Sequence, residues 1–370
     1  MGATPGPVGV AVVGCGNISG PYLRNLSSFR DVRVLFCADL NLDRAKKQAA
    51  RHGVPAAGYP AEALEVPGVE LVVNLTVPSA HAEVAAAAIA VGKNVWIEKP
   101  LALDSASGRA LLAQAERAGV RVGCAPDTAL APGMQTARRL IEAGVIGVPQ
   151  TALALMQDPG PESWHPHPEF LFKRGAGPLF DIGPYYLSAL AVLFGPAGQV
   201  AAIGRRAREN RVIRTGPGTG TSFPVEVPSH VAALVEYAQG QAASLVLSFD
   251  SPLQRRGFVE ISGTEATLAL PDPNSYQGDV RMLAAGAGEW TTISAEGPRA
   301  ARGIGALEMA RALRSGAPPR ASGELALHVL DIMEAIGRSV PADRFESVLS
   351  SFTLPSLLEK DWDPMEATLT

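Results

Sequence analysis

The sequence is sparing with the residues that would send it to a membrane, a nucleic acid or an oxidising compartment. Three of its 370 residues are cysteine: Cys15, Cys37 and Cys124. An odd number without metal-site or framework spacing gives neither a disulfide scaffold nor a zinc site. Each ends or follows an apolar β-like run, so all three read as small buried side chains of a reduced, cytoplasmic protein. Charged residues make up 18% of the chain and leave a net charge of −4. A nucleic-acid surface needs clustered Lys and Arg, so no nucleic-acid partner is expected. The apolar runs are broken by Gly, Pro or charge before they reach the ~18–20 residues of a membrane span. The start, MGATPGPVGVAVVG, lacks the basic-then-apolar pattern of a secretory leader. What remains is a protein that handles small molecules.

With 47% hydrophobic residues the chain can fill two cores. Apolar runs alternate with helical patterns over the first ~125 residues. Val8–Val13, Val32–Ala38, Leu71–Leu75, Asn94–Glu98 and Val120–Ala125 read as strands. Asp43–His52, Ser79–Val91 and Asp104–Ala118 read as helices, each closed by glycine. Repeated β–α–β units predict a doubly wound parallel sheet. Beyond Ala125 a helix over Gly133–Ala143 precedes closely spaced strands at Pro149–Met156, Val231–Tyr237, Ala242–Phe249, Gly257–Ser262 and Thr267–Leu270. Short glycine-containing turns between them predict antiparallel pairing. Arg211–Pro228 reads as a loop, and Ile304–Arg314 and Gly323–Gly337 as helices. The expected division is residues 1–126, a dinucleotide-binding domain; 127–345, an α+β substrate domain; and a tail, 346–370, that no periodicity places.

Gly14-Cys15-Gly16-Asn17-Ile18-Ser19-Gly20 follows the first strand directly. Glycine suits the tight turn at Gly14 and the close approach to a pyrophosphate at Gly16. The following helix offers its N–H groups and positive dipole end. Ser19 stands where a third glycine is usual. Asp39 ends the next strand, where a carboxylate binds ribose hydroxyls and repels a 2′-phosphate. That predicts NAD rather than NADP, with Asn17 and Ile18 along the turn. Glu98-Lys99-Pro100 ends the fifth strand, at the ligand-binding edge of a parallel sheet. There Lys99 can bond a reacting oxygen, its pKa lowered by the cationic cofactor.

Taken together with Thr76-Val77-Pro78-Ser79-Ala80-His81 and Gly175-Ala176-Gly177-Pro178-Leu179-Phe180-Asp181-Ile182-Gly183, these motifs resemble the glucose–fructose oxidoreductase/inositol dehydrogenase/rhizopine-catabolism (Gfo/Idh/MocA) family over nearly the whole chain. The resemblance implies a Rossmann domain followed by an α+β domain with a large, mostly antiparallel sheet that forms a homo-oligomer interface. It implies Lys99 as the catalytic lysine, and Thr76, Pro78, His81 and Glu98 along the cofactor. It also implies an Asp-x-x-x-His pair on one helix face. Here Asp181 is present and Tyr185 replaces the histidine.

Three routes for the proton stay open. Tyr185 acts directly, Lys99 relays it, or a histidine of Trp164-His165-Pro166-His167-Pro168-Glu169 reaches the site. The reading adopted gives the acid/base role to Lys99, with Asp181 and Tyr185 on the substrate. Trp164 and His165 suit a sugar face, since an aromatic ring packs on C–H groups while polar tips bond hydroxyls. Asp127, after the sixth strand, is a further substrate candidate. His165 and His167 are two residues apart in a Pro-rich loop, without a further ligand set, so no metal is expected. The expected activity is NAD-dependent oxidation of a sugar, glycoside or cyclitol hydroxyl. Oxidation–elimination of a glycoside and cofactor sensing without turnover are the alternatives.

Overall fold

Runs of β-branched and small apolar residues build a six-stranded sheet in the computed structural model, which describes residues 6–369. The first five residues of the stretch read for a leader, and the last residue of the tail, lie outside the described residues. The strands are β1 (Val8–Val13), β2 (Val32–Ala38), β3 (Ala56–Gly58), β4 (Leu71–Asn74), β5 (Asn94–Ile97) and β6 (Val122–Cys124). They lie parallel in the order β3-β2-β1-β4-β5-β6. Strand order therefore reverses between β1 and β4, the switch point at which such sheets bind ligands. Five helices connect them: α1 (Ser19–Leu26), α2 (Leu42–His52), α3 (Pro60–Glu65), α4 (His81–Ala90) and α5 (Ser105–Ala118). The Asn41 and Asp104 side chains cap α2 and α5 by accepting from Arg44 N and Ser107 N. Gly53 and Gly119, both left-handed, end them.

The second sheet has nine strands. After α6 (Pro132–Glu142) come β7 (Pro149–Gln157), the short α7 (Gly177–Asp181) and α8 (Gly183–Phe194). Then follow β8 (Ala197–Arg205), β9 (Asn210–Val212), β10 (Ser222–Pro224), β11 (His230–Tyr237), β12 (Ala242–Ser248), β13 (Arg255–Gly263), β14 (Ala266–Ala269), β15 (Val280–Ala284) and β16 (Thr291–Ile293). The helices α9 (Ile304–Ser315) and α10 (Gly323–Ala342) and the two-residue β17 (Glu346–Ser347) complete the set. The order is β16-β15-β14-β13-β7-β12-β11-β8-β17, antiparallel except for the β7–β12 pair. The stretch read as a loop over 211–228 instead carries the β9–β10 hairpin. Strand β8 forms from an Ala- and Gly-rich sequence that carries little β signal of its own.

The chain does not divide into consecutive domains. One compact unit takes described residues 6–132, 297–330 and 355–369; the other takes 133–296 and 331–354. The expected single boundary near residue 126 gives way to this interleaving for a physical reason. A parallel sheet needs cover on both faces. Ala11 and Val13 point to one side and pack with Ala85, Ala88 and Ile89 of α4 and Leu111 and Ala115 of α5. Val8, Val10 and Val12 point to the other, where Tyr22, Leu23 and Leu26 of α1 are joined by Ala306, Leu307, Met309 and Ala310 of α9. Helix α9, nearly two hundred residues downstream, thus closes a core that the first 126 residues leave open.

The tail binds to the same unit. Asp31, fully buried, accepts hydrogen bonds from Arg311 Nε (2.7 Å), the Thr368 hydroxyl (2.7 Å) and the amides of Thr368 and Leu369. The Arg311 guanidinium also lies 4.5 Å from the centre of the Trp362 ring. Burial pushes the Asp31 carboxyl up, but the donors from Leu369, Thr368 and Arg311 outweigh it and hold the group below the usual carboxylate range. A folded-state value below the unfolded one adds stability at neutral pH, and that contribution fades as pH falls through the folded value. Asp31→Ala is expected to cost about 3 kcal/mol in urea unfolding at neutral pH, because it strands Arg311 and the tail amides. The gap between variant and wild type should narrow below about pH 4. A constant gap down to acid pH would refute the assignment.

Candidate active site

The first unit carries the cofactor half. At the end of β1 the chain turns sharply at Gly14, whose φ is +98°. A Cβ there would lie 2.6 Å from the Leu75 carbonyl at the end of β4. Gly14 is therefore required by the protein itself. Gly16 differs: a Cβ there would meet no protein atom within 4 Å, and the residue is exposed. Its side is open toward solvent beside exposed Asn17 and half-buried Ile18. Ser19 in the third position is fully buried, and its hydroxyl donates to the Gly16 carbonyl (2.7 Å). The departure from glycine thus ties the turn to the start of α1.

Asp39 is half-buried at the end of β2. One oxygen accepts from the Cys15 amide (2.7 Å) and the other from the Asn41 amide (2.8 Å). Each retains a lone pair for a hydroxyl. Two large apolar side chains that the sequence reading missed stand nearby along the chain: Leu40, 85% exposed, and Val77, 64% exposed. Exposure of that degree after both β2 and β4 suits the rim of a flat aromatic base. The open Gly16 side, the paired Asp39 carboxylate and this apolar rim fit a dinucleotide.

Thr76 donates its hydroxyl to Asn74 Oδ1 (2.7 Å), and Pro78 is exposed. His81 does not face a ligand. It is 1% exposed, with Nδ1 2.7 Å from the Pro100 carbonyl and Nε2 3.0 Å from the Thr76 carbonyl. Burial pushes its imidazole below the ordinary histidine value, against the pull of the two carbonyls. The residue expected on the cofactor instead ties the loop after β4 to the loop after β5. Glu98 is likewise turned inward. It is buried and accepts from the Tyr22 hydroxyl (2.9 Å), Arg302 Nη1 (3.2 Å) and the Lys99 amide (3.1 Å). Lys99 itself is half-buried at the C-terminal end of β5. Asp127, expected to face substrate, is instead 1% exposed and accepts from the amides of Gly303 (2.9 Å) and Gly305 (3.1 Å), capping α9. Its side chain, like that of Glu98, serves α9, an element whose partnership with the first sheet no local pattern announces.

The second unit carries Asp181, Tyr185 and the aromatic loop. The expected helix is interrupted by one residue. Asp181 is the last residue of α7, and Tyr185 lies in the first turn of α8, with a break at Ile182. Pro184 has no N–H to continue the helix, which accounts for the break. Asp181 is half-buried, and Tyr185 is 6% exposed. Trp164 is 56% exposed and edge-on to His165, with ring centres 5.6 Å apart; His165 is edge-on to Phe170 at 5.3 Å. His165 Nδ1 accepts from the His167 amide (3.0 Å), so its proton sits on Nε2 in the neutral ring. The loop is held from below. Buried Arg211 bonds Glu162, Asp250 and the carbonyls of Pro159 and Phe249, and its guanidinium lies 4.9 Å from the Phe172 ring centre. Asp158, just before this loop, accepts from Arg256 Nε and the Gly160 amide.

Comparison with known proteins agrees with this division. Residues 8–125 match the model of an oxidoreductase family with an NAD-binding Rossmann fold, and residues 134–269 match that of the GFO/IDH/MocA C-terminal domain. The trans-1,2-dihydrobenzene-1,2-diol dehydrogenase of Bos taurus is 27% identical over 267 residues, 71% of this chain and 73% of its own. The scyllo-inositol 2-dehydrogenase (NAD(+)) of Bacillus subtilis (strain 168) is 26% identical over 262 residues, covering 70% and 72%. A levoglucosan dehydrogenase solved with NADH superimposes with a TM-score of 0.80 at 20% identity, over 93% of this chain and 100% of that one, a likeness of fold.

The two glycines of the turn predict separable defects. Gly16→Val should melt within about 2 °C of wild type, since a Cβ there meets no protein atom within 4 Å, yet weaken NAD binding at least about tenfold in a fluorescence titration. Gly14→Val should lower the melting temperature outright. Undiminished NAD affinity in Gly16→Val would remove the pyrophosphate from this turn.

Proposed function

The chain belongs to the Gfo/Idh/MocA family of oxidoreductases, and from that premise we propose that it oxidises a secondary hydroxyl or hemiacetal of a sugar, glycoside or cyclitol with NAD. The observation that carries this reading is the placement of Lys99. It is half-buried at the ligand-binding edge of the parallel sheet, with both neighbours, Glu98 and Pro100, fastened to other loops of the unit. The relatives named for a dihydrobenzene diol and for scyllo-inositol support a polyol class.

Bound NAD supplies the hydride acceptor, held by the Gly14–Gly16 turn, the N-terminus of α1, Asp39 and the Thr76–Pro78 loop. Asp39 favours NAD over NADP, because its negative charge opposes a 2′-phosphate. Lys99 hydrogen-bonds the reacting oxygen and takes up its proton as the carbonyl forms. Asp181 accepts from a neighbouring hydroxyl and so fixes the ring's orientation. Tyr185 donates to the substrate rather than acting as the base, since an ordinary tyrosine near pKa ~10 keeps its proton at neutral pH. Trp164 offers a face to sugar C–H groups, and His165 Nε2 offers a donor. The enzyme works in the cytoplasm, a placement that its three buried free thiols support.

We further propose a homo-oligomer formed through the open face of the nine-stranded sheet. Alternate residues of the central strands form cross-strand rows there: Ile203–Ala232–Val246–Leu155–Phe258 and Ala201–Leu234–Ser244–Leu153–Glu260. Ile203 is 58% exposed and Leu234 is 52% exposed. A largely apolar face of this kind, interrupted only by Ser244 and Glu260 in these two rows, calls for a covering partner.

Lys99→Ala should lower kcat at least about a hundredfold while leaving NAD affinity within a factor of about three. The assay is NADH formation across a panel of monosaccharides, inositols and glycosides. Near-wild-type kcat in that variant would overturn the role of Lys99. Release of an aglycone without net NADH would replace the dehydrogenase reading with oxidation–elimination. For the interface, Leu234→Glu should shift light-scattering mass toward the monomer at unchanged NAD affinity. An unchanged mass would reject this face.

A further inference from the structure

Glu98 is a buried carboxylate directly before Lys99, and the reaction as proposed gives it no chemical task. Its surroundings are defined. The Trp96 indole donates to the Tyr22 oxygen (3.2 Å), and the Tyr22 hydroxyl donates in turn to Glu98 Oε1 (2.9 Å). The direction of both bonds is fixed, because indole only donates and a carboxylate only accepts. Arg302 Nη1 meets the same oxygen at 3.2 Å, while the Lys99 amide takes the other oxygen at 3.1 Å. The Arg302 backbone is pinned in turn, since Asn25 of α1 donates to its carbonyl (2.7 Å). His81 at the start of α4 and Cys124 of β6, both buried, also feel this carboxylate, and His81 feels the Lys99 charge as well.

We propose that Tyr22, Glu98 and Arg302 form a positioning device for Lys99. The carboxylate fixes the lysine's main chain, and Arg302 offsets the negative charge that the lysine would otherwise feel. The inference rests on the reading of Lys99 as the acid/base group. A carboxylate one residue away, left unbalanced, would hold the ammonium protonated and make it a poor base. A carboxylate replaced by a neutral group would leave Arg302 to repel the ammonium. The pair keeps Lys99 between these limits. Tyr22 and Asn25 both belong to α1, so the device also ties the lysine to the helix that follows the phosphate turn.

The device makes a signed prediction that simple scaffolding does not. The ionisation of Lys99 can be read without cofactor or turnover, from the pH dependence of its acetylation by acetic anhydride in NAD-free protein, followed by peptide mass spectrometry. Glu98→Gln should move the Lys99 midpoint down by about 0.5–1 pH unit, and Arg302→Met should move it up by a similar amount. Arg302→Lys should restore the wild-type midpoint, and the double variant Glu98→Gln/Arg302→Met should lie near it. Shifts in the same direction, or none, would overturn the proposal. If Glu98→Gln fails to fold, the contrast between Arg302→Met and Arg302→Lys decides alone. The outcome is separable from the fate of the acid/base reading of Lys99. Near-wild-type kcat in Lys99→Ala would remove that reading while leaving the labelling shifts intact. An inactive Lys99→Ala with unmoved midpoints would reject the device alone.

Discussion

A parallel sheet tolerates water on neither face, and much of this molecule follows from that constraint. The first 126 residues supply strands and the helices for one face, but leave part of the other face to be covered by α9. Once α9 is recruited, its N-terminus must be capped, and Asp127 does this from the loop after β6. The segment leading into α9 then passes β5, which brings Arg302 to Glu98. Covering a hydrophobic surface thus delivers a cation to the edge of the sheet where Lys99 stands. The packing requirement and the electrostatics at the lysine have one origin.

The same economy governs the loops around that edge. None of the three polar residues Asp39, His81 and Glu98 has its side chain idle. Asp39 is oriented by two backbone amides that leave acceptor capacity for a ligand. His81 and Glu98 spend theirs on the protein, one on each side of Lys99-Pro100. A lysine side chain loses much conformational freedom on being ordered. Fixing the backbone at both ends of its tripeptide limits the freedom of Lys99 before any ligand arrives.

The parts of this that were legible in the sequence are those written locally. Val8–Val13 followed by Gly14-Cys15-Gly16 reads as strand and turn because periodicity and glycine placement are short-range signals, and the strand bounds agree. The cofactor class follows from the same few residues together with Asp39. What escaped was set by partners distant in sequence. Nothing near Asp127 indicates that Gly303 and Gly305 will meet it, so its position after a strand suggested an open cleft. Nothing near Tyr22 points to Glu98, 76 residues away. The break at Ile182 was readable in principle: Pro184 lies within the supposed helix, and weighting its missing N–H above the i, i+4 pattern would have separated Asp181 from Tyr185.

That break bears on the substitution of tyrosine for histidine. On one continuous helix, residues four apart would share a face, and a tyrosine's longer side chain would carry its hydroxyl past the point that an imidazole reaches. With α7 ending at Asp181 and α8 beginning at Gly183, the two residues stand on successive helices joined through Ile182, whose backbone stays right-handed helical (φ −102°, ψ −32°). The helix α8 is buried along its whole length, so its first turn has little freedom to adjust. The adaptable partner is the segment before it, where Gly175 and Gly177 have φ of +82° and +78°. Under the proposed reaction a tyrosine at position 185 keeps its proton at neutral pH, and the acid/base task falls to Lys99.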